Sequence, residues 1–215
     1  MKTSIIITSY NYGQYVERCI RSCMNQQLVE GTNEIVVVDD ASTDNTRDIL
    51  RKFQRFPNVH VVTNKTNVGV AESANIGVRE AVGQYVVRVD ADDYIGEWFV
   101  FMLRTFLEGN HDAFGVGCDY LKVDEHENVI ERCSASVSPI SCGIMYRRDL
   151  LVQAGLYNPD FRHCEEEELR RRVGEYYRII CLPLPLYRYR MHSANKTKQP
   201  EYREFRDSFR GRGEE

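Results

Sequence analysis

Hydrophobic positions along residues 1–110 switch repeatedly between short continuous runs and helical spacing. Ile5–Thr8, Ile35–Val38, Val59–Val62 and Tyr85–Val89 are runs rich in β-branched residues, which predicts strands buried on both faces. Between them Val16, Cys19, Ile20, Cys23 and Met24 recur as one face of a helix. So do Ile49, Leu50 and Phe53, and then Ala71, Ala74, Val78 and Ala81; Phe99, Met102, Leu103, Phe106 and Leu107 form a fourth set. Ser42-Thr43-Asp44 supplies N-cap candidates for the second helix, and Gly69 opens the third. Strands alternating with helices of this length predict right-handed βαβ units, hence an α/β fold with a mostly parallel, Rossmann-like sheet flanked by helices.

After residue 110 the texture changes. Phe114–Val123 and Asn128–Cys133 flank the polar segment Asp124-Glu125-His126-Glu127 and read as a hairpin. Ser134–Ser141 reads as a loop, Cys142–Tyr146 as a strand and Arg148–Ala154 as a short helix. Glu165–Gly174 is a further helix, with short strands at Tyr176–Ile180 and Leu184–Tyr189. No linker, repeat or low-complexity tract interrupts the chain. The expectation is one domain over 1–192, with an N-terminal half to 110, a smaller antiparallel half over 111–192, and a tail over 193–215. In the tail Tyr202, Phe205 and Phe209 fall near one helical face among Arg203, Arg206 and Arg210. That pattern is either a solvated end or a basic amphipathic helix for a membrane surface or another subunit.

Composition narrows the classes. Hydrophobic residues make up 42% and charged residues 28% of 215, ordinary for a globular protein large enough to fold alone. A net charge of −4 gives no reason to expect nucleic acid. No stretch reaches the roughly 20 apolar residues that span a bilayer, and no signal peptide is apparent. The seven cysteines are scattered without a C-x-x-C pair, which reads as reduced thiols in a cytoplasmic compartment.

The chemistry sits where two strands end. IVVVDDASTD (35–44) runs from a strand into Asp39 and Asp40, and YVVRVDADD (85–93) runs from another into Asp90, Asp92 and Asp93. Ligands of open α/β sheets bind at the carboxyl ends of strands. Carboxylates this close repel one another unless a cation or a donor-rich ligand compensates. Period-two geometry puts Asp90 and Asp92 on one side of an extended segment, where they can share a hard divalent cation.

SIIITSYNYG (4–13), VVVDDASTD (36–44), NVGVAESANIG (67–77), YVVRVDADD (85–93), CGIMYRRDLLVQAGLYNPDF (142–161), HCEEEEL (163–169) and YRYRMH (187–192) occur in this order. Over residues 1–192 the set resembles glycosyltransferase family 2, whose fold is GT-A. The resemblance implies an inverting transfer from a nucleoside-diphosphate sugar, a UDP-sugar first, to a carbohydrate or lipid-linked glycan acceptor. It implies assistance by Mg2+ or Mn2+. The donor would occupy the N-terminal half and the acceptor the C-terminal half, with the protein cytoplasmic or peripheral at the inner membrane face.

Residue by residue, the resemblance assigns Asp40 to a base N–H, with Asp39 beside it. Thr8, Tyr10 and Asn11 would line the same cleft; Thr8 stands where the family often has proline. Asn67, Gly69 and Asn75 match an N-x-G…N-x-G segment. Asp90-Ala91-Asp92 is the DXD element, with Asp92 a metal ligand, Asp90 a ligand of metal or ribose, and Asp93 a supporting or alternative ligand. His192 would approach the metal or the phosphates. The family's Glu-Asp-x-x-Leu, counted back from Leu169, falls on Glu165 and Glu166 and makes Glu166 the general base, with Glu in place of the usual Asp. Each has a structural alternative: helix caps for Asp39 and Asp40, core aromatics for Tyr10 and Tyr12, a solvated helix start for the Glu run, a lone surface histidine for His192.

Three other classes compete. A receiver domain pairs acids after its first strand, whereas here a strand and a helix precede them. A haloacid-dehalogenase-type phosphohydrolase needs Asp-x-Asp-x-Thr, and Tyr94 stands at the Thr position. A catalytically inactive nucleotide-sugar binder would keep Asp40 and Asp92 and show no transfer.

Overall fold

The computed structural model describes residues 2–27, 33–174, 177–198 and 200–211. Four strands, β1 (Thr3–Ser9), β2 (Asn33–Asp39), β3 (Val59–Thr63) and β4 (Tyr85–Asp90), run parallel in the order β3-β2-β1-β4. Helices α1 (Gly13–Met24), α2 (Thr46–Phe53) and α3 (Val70–Glu80) connect them. The predicted βαβ succession is therefore present. Alternation along β1 explains the two layers of helices. Ile5 and Ile7 point to a core shared with α1, α2 and a later helix, α4 (Phe99–Gly109); Ile6 points to a second core with Ala71, Ala74 and Val78 of α3. Gly77 lets α3 lie against β1, since a Cβ there would stand 2.4 Å from Ile6 Cγ2.

The sheet continues into the second half of the chain. After β4 come β5 (Tyr94–Ile95), α4, the hairpin β6 (Gly115–Val123) and β7 (Val129–Cys133), then β8 (Met145–Arg147), α5 (Arg148–Gln153), α6 (Glu165–Val173) and β9 (Ile179–Arg190). The full order is β3-β2-β1-β4-β8-β6-β9-β5, with β7 pairing with β6 off this path; β8 is antiparallel to both β4 and β6. Both halves of the chain thus share one sheet.

Three expectations change. The strands expected at Tyr176–Ile180 and Leu184–Tyr189 form the single strand β9, Tyr176 lying outside the described residues. Pro183 and Pro185 lack an N–H, and the chain absorbs them in a bulge: Cys118 pairs with Leu182, yet Tyr120 pairs with Tyr187. The strand expected at Cys142–Tyr146 shortens to β8, Gly143 taking a positive φ of 75°. The two-residue β5 went unread because Tyr94-Ile95 is too short to carry a period; it pairs with Arg188 and Tyr187 of β9.

The tail is helical, α7 (Pro200–Gly211). Its aromatic face is turned inward. Phe205 and Phe209 lie edge-on to Phe161, at 5.8 and 5.3 Å between ring centres, and Tyr202 meets the His163 ring at 5.4 Å. The Arg171 guanidinium sits 4.0 Å over the Phe209 ring. The face that suggested a membrane or subunit contact packs on its own chain. No helix of the described residues is long and apolar enough to cross a membrane.

Gly77→Val should lower stability by about 1–3 kcal/mol through overpacking. The urea midpoint should fall with an unchanged slope.

Candidate active site

Strand register builds the site. Ser9 is level with Asp39, and Thr8 is level with Asp90. Three parallel strands therefore end together, and the residues just beyond them meet at one edge. There they line a cleft of about 210 Å³. A second cavity among the described residues holds about 10 Å³ and is lined by core side chains, room for one water at most.

The first wall of the cleft carries Thr8, Tyr10, Tyr12, Asp40 and Asn67. Asp40 is buried. Its Oδ1 accepts from Asn64 Nδ2 and the Val68 amide, and its Oδ2 from the Gly69 amide, each at 2.9 Å. A carboxylate has about four acceptor positions, so Oδ2 retains one for a further donor. Gly69 has φ 89°, a conformation that favours glycine, and this brings its amide onto Asp40. Tyr10 is 40% exposed, presenting a free ring face at the cleft edge.

Other residues expected in the cleft stand outside it. Asp39 is fully buried and turned away: its Oδ1 caps the Ser42 amide and its Oδ2 pairs with Arg47 Nε at 3.0 Å. Asn11 takes φ 58° and binds the amides of Thr43 and Asp44 through Oδ1, clamping two loops together. Asp44 accepts from the Thr46 amide at the start of α2. Asn75 exchanges two hydrogen bonds with the backbone of Tyr157. Asn11, Asp39 and Asn75 thus hold the loops that shape the cleft.

The floor is the acid turn. The Asp93 amide returns to Asp90 O at 3.0 Å, and β5 then pairs with β9. This pins the turn against β9. Asp93 Oδ1 accepts from the Arg190 amide at 2.8 Å and Oδ2 from the Tyr187 hydroxyl at 2.7 Å, while Arg190 Nε binds Asp92 O. Asp92 Oδ2 meets His192 Nε2 at 2.9 Å. Burial, followed by repulsion from Asp92 and Asp90, drives the Asp93 carboxyl far above the usual carboxylate range. The Tyr12 hydroxyl is pushed up by burial and by the same three acids. His192 itself is buried behind Asp92.

These residues fit a hard divalent cation. Asp90, Asp92 and Asp93 face one cleft, and their mutual repulsion is what a cation relieves. Asp93 is engaged by Arg190 and Tyr187, which leaves Asp90 and Asp92 as the better-placed ligands. Asp90, Asp93 and Cys142 also bring three donor atoms within 4.8 Å of one another. Burial, then the charges of Asp90 and Asp93, keep the Cys142 thiol protonated, a poor ligand for an oxygen-seeking ion.

The second wall comes from α6. Its four glutamates divide by helical position. Glu165 and Glu166 are buried at the cleft, Glu167 lines it, and Glu168 turns outward to Arg172 at 2.8 Å. Glu166 Oε1 accepts from the Tyr146 hydroxyl and from Arg170 Nε at 3.2 Å, while Oε2 is buried without a hydrogen-bond partner. Burial raises the Glu166 pKa despite Arg170, Tyr146 and Arg88, which pull it down. A raised carboxyl with one unpartnered oxygen beside a cleft is the form a general base takes.

The sequence reading missed Arg88, Tyr12, Arg170 and Tyr202, all of which line the cleft. Arg88 alone left a signal, as one cation inside the apolar run of β4.

Residues 4–162 match the family described as glycosyl transferase family 2, and the chain belongs to it. Over 183 residues it is 29% identical to poly(ribitol-phosphate) β-N-acetylglucosaminyltransferase TarS of Staphylococcus aureus (strain MW2), covering 79% of this chain and 31% of TarS. Over 218 residues it is 30% identical to an uncharacterized glycosyltransferase of Nostoc sp. (strain PCC 7120), covering 91% of this chain and 66% of that protein. The structure of S. aureus TarS 1–349 in complex with UDP-GlcNAc aligns with TM-score 0.78 at 24% identity, over 91% of this chain and 60% of that one. The mannosyltransferase PcManGT of Pyrobaculum calidifontis, solved with GDP-Man and Mn2+, aligns with TM-score 0.71 at 20% identity, over 95% and 59%. The fold is GT-A. The chain thus spans between 31% and 66% of the length of these relatives.

A carboxyl whose folded-state pKa lies above its unfolded value stabilises the fold while protonated, and that contribution fades as pH rises through the folded value. Glu166→Gln should therefore melt higher than wild type near neutral pH. The gain should vanish below the ordinary glutamate pKa of about 4.3, as melting curves across pH would show.

Proposed function

We propose that the chain is an inverting glycosyltransferase that moves a sugar from a nucleoside-diphosphate sugar, a UDP-sugar first, to a hydroxyl of a carbohydrate or lipid-linked glycan. One observation carries this reading: Asp40, Asp90, Asp92 and Glu166, from three separate segments of the chain, open onto the same cleft. Family membership, and relatives named for transfer of N-acetylglucosamine or glucose, support it. The UDP-GlcNAc bound by TarS favours uridine.

In this reading Tyr10 stacks on the base, and the open position of Asp40 Oδ2 accepts its N–H. Asp90 and Asp92 would hold a Mg2+ or Mn2+ ion, which would supply positive charge against the departing diphosphate. Asp93, Tyr187 and Arg190 keep the turn in shape, and His192 orients Asp92. Glu166 takes the proton of the acceptor hydroxyl at Oε2. Tyr146 and Arg170 fix Oε1, so the carboxylate cannot rotate away.

A catalytically inactive sugar-nucleotide binder would share the first wall and the acid turn. The raised Glu166, with an unpartnered oxygen beside the cleft, favours an enzyme, because binding alone does not need it.

Thermal shift with UDP, GDP and dTDP, each with and without Mn2+, tests the donor site. A ligand at 100 times its dissociation constant stabilises by about 2.7 kcal/mol. UDP with Mn2+ should raise the melting temperature most, and Asp92→Ala should abolish the metal-dependent part. If no nucleoside diphosphate shifts the curve, the reading fails. Glu166→Gln should lower kcat by about 10²–10⁴-fold with little change in donor KM. Sugar-nucleotide turnover equal to wild type would exclude Glu166 as the base.

A further inference from the structure

We propose that Arg88 is a positioning residue of the transfer site, a buried cation that ties Asp90 on the donor side to Glu165 at the head of α6. The proposal rests on reading the cleft as a glycosyl-transfer site and adds a residue to it.

Arg88 interrupts the apolar strand β4 two positions before Asp90, so both side chains leave the same face. It is 4% exposed and lines the cleft. A guanidinium keeps its charge at any working pH, so burying it requires acids at hand. Its Nε stands 3.2 Å from Asp90 Oδ1 and its Nη1 2.8 Å from Glu165 Oε1. These acids belong to different parts of the cleft, one to its floor at the end of β4 and one to the α6 wall. Both contacts are ion pairs rather than aligned hydrogen bonds, Nε and Nη1 having no hydrogen-bond partner among the described residues; one delocalised guanidinium charge lies against both acids, whereas a compact ammonium would favour one.

The surroundings fix Arg88 in turn. Its carbonyl accepts from the Gly143 amide at 2.9 Å, and the guanidinium lies 5.7 Å from the centre of the Tyr157 ring. Tyr157 is held through its backbone by Asn75 of α3. A path of contacts thus runs from α3 through Tyr157 and Arg88 to the first turn of α6, which carries Glu166. The groups facing Glu166 are Tyr146 from β8, Arg170 from α6, Tyr157 from the segment between α5 and α6, and Arg88 from β4. Glu165 and Glu167 flank it on its own helix. Of these, Arg88 is the one that also reaches Asp90 of the acid turn. It therefore sets the spacing between base and leaving group and helps keep Glu166 ionised.

The test uses the full chain with Arg88→Lys, Arg88→Met and Glu165→Gln. Two readouts are followed, donor turnover with acceptor and the Glu166 carboxyl titration by ¹³C NMR, assigned with Glu166→Gln. Arg88→Lys keeps the charge and loses the bridge, so Glu166 should titrate near wild type while kcat falls about tenfold or more, with donor KM within about threefold. Glu165→Gln should give a similar kcat loss. Arg88→Met should shift the Glu166 titration upward, and the acid limb of the kcat profile with it. Wild-type kcat in Arg88→Lys overturns the role, as does an unmoved Glu166 titration in folded Arg88→Met. Should Arg88→Met fail to fold, the kcat of Arg88→Lys decides. A wild-type protein without any transfer would sink the functional reading, while the Glu166 titration would still decide whether Arg88 acts on the base.

Discussion

Three carboxylates of one turn, Asp90, Asp92 and Asp93, occupy the floor of a cleft and repel one another, and much of the surrounding structure restrains them. Strand β4 delivers them, and β9 returns from the far end of the chain to hold them through the Arg190 amide, the Tyr187 hydroxyl and His192. The bulge at Pro183–Leu186 matters because it sets the register that places Tyr187, Arg190 and His192 against the turn. The Asp93 carboxyl, raised by burial and by its neighbours, records the strain that remains.

This arrangement separates two kinds of acid. Asp39 and Asp93 have their oxygens engaged by protein donors and act as braces. Asp40 and Glu166 each keep an oxygen that protein donors leave incompletely engaged, Oδ2 of Asp40 with one amide and Oε2 of Glu166 with no hydrogen-bond partner. The difference lies in what each side chain meets, since all four are buried carboxyls. A cleft assembled this way trades stability for readiness: charges that a ligand would compensate face one another before it arrives.

The α6 wall of the cleft is built from later parts of the chain. α6 contributes its glutamates, and α7 closes over it by packing Phe205 and Phe209 on Phe161 and Tyr202 on His163. Tyr202 and Thr197 reach the cleft from beyond residue 162, where the family match ends. The lining of the cleft is therefore completed by a segment outside the shared family pattern.

The alternation of apolar runs with helical spacing was enough to read the βαβ core, because burial on both faces leaves strands such as Ile35–Val38 almost no freedom of composition. The acids at Asp40, Asp90 and Asp92 were equally legible, since carboxylates crowded at the end of a buried strand are costly unless a cation or a set of donors meets them. The sequence could not show that Asn11, Asp39 and Asn75 would serve neighbouring loops, for a polar side chain takes whichever donor or acceptor folding brings nearest. Nor could it show which glutamates of α6 face inward, or that Arg88 would find acids on both sides. Those outcomes depend on contacts between residues up to about a hundred positions apart, such as Asp92 with His192, and only the assembled sheet decides them.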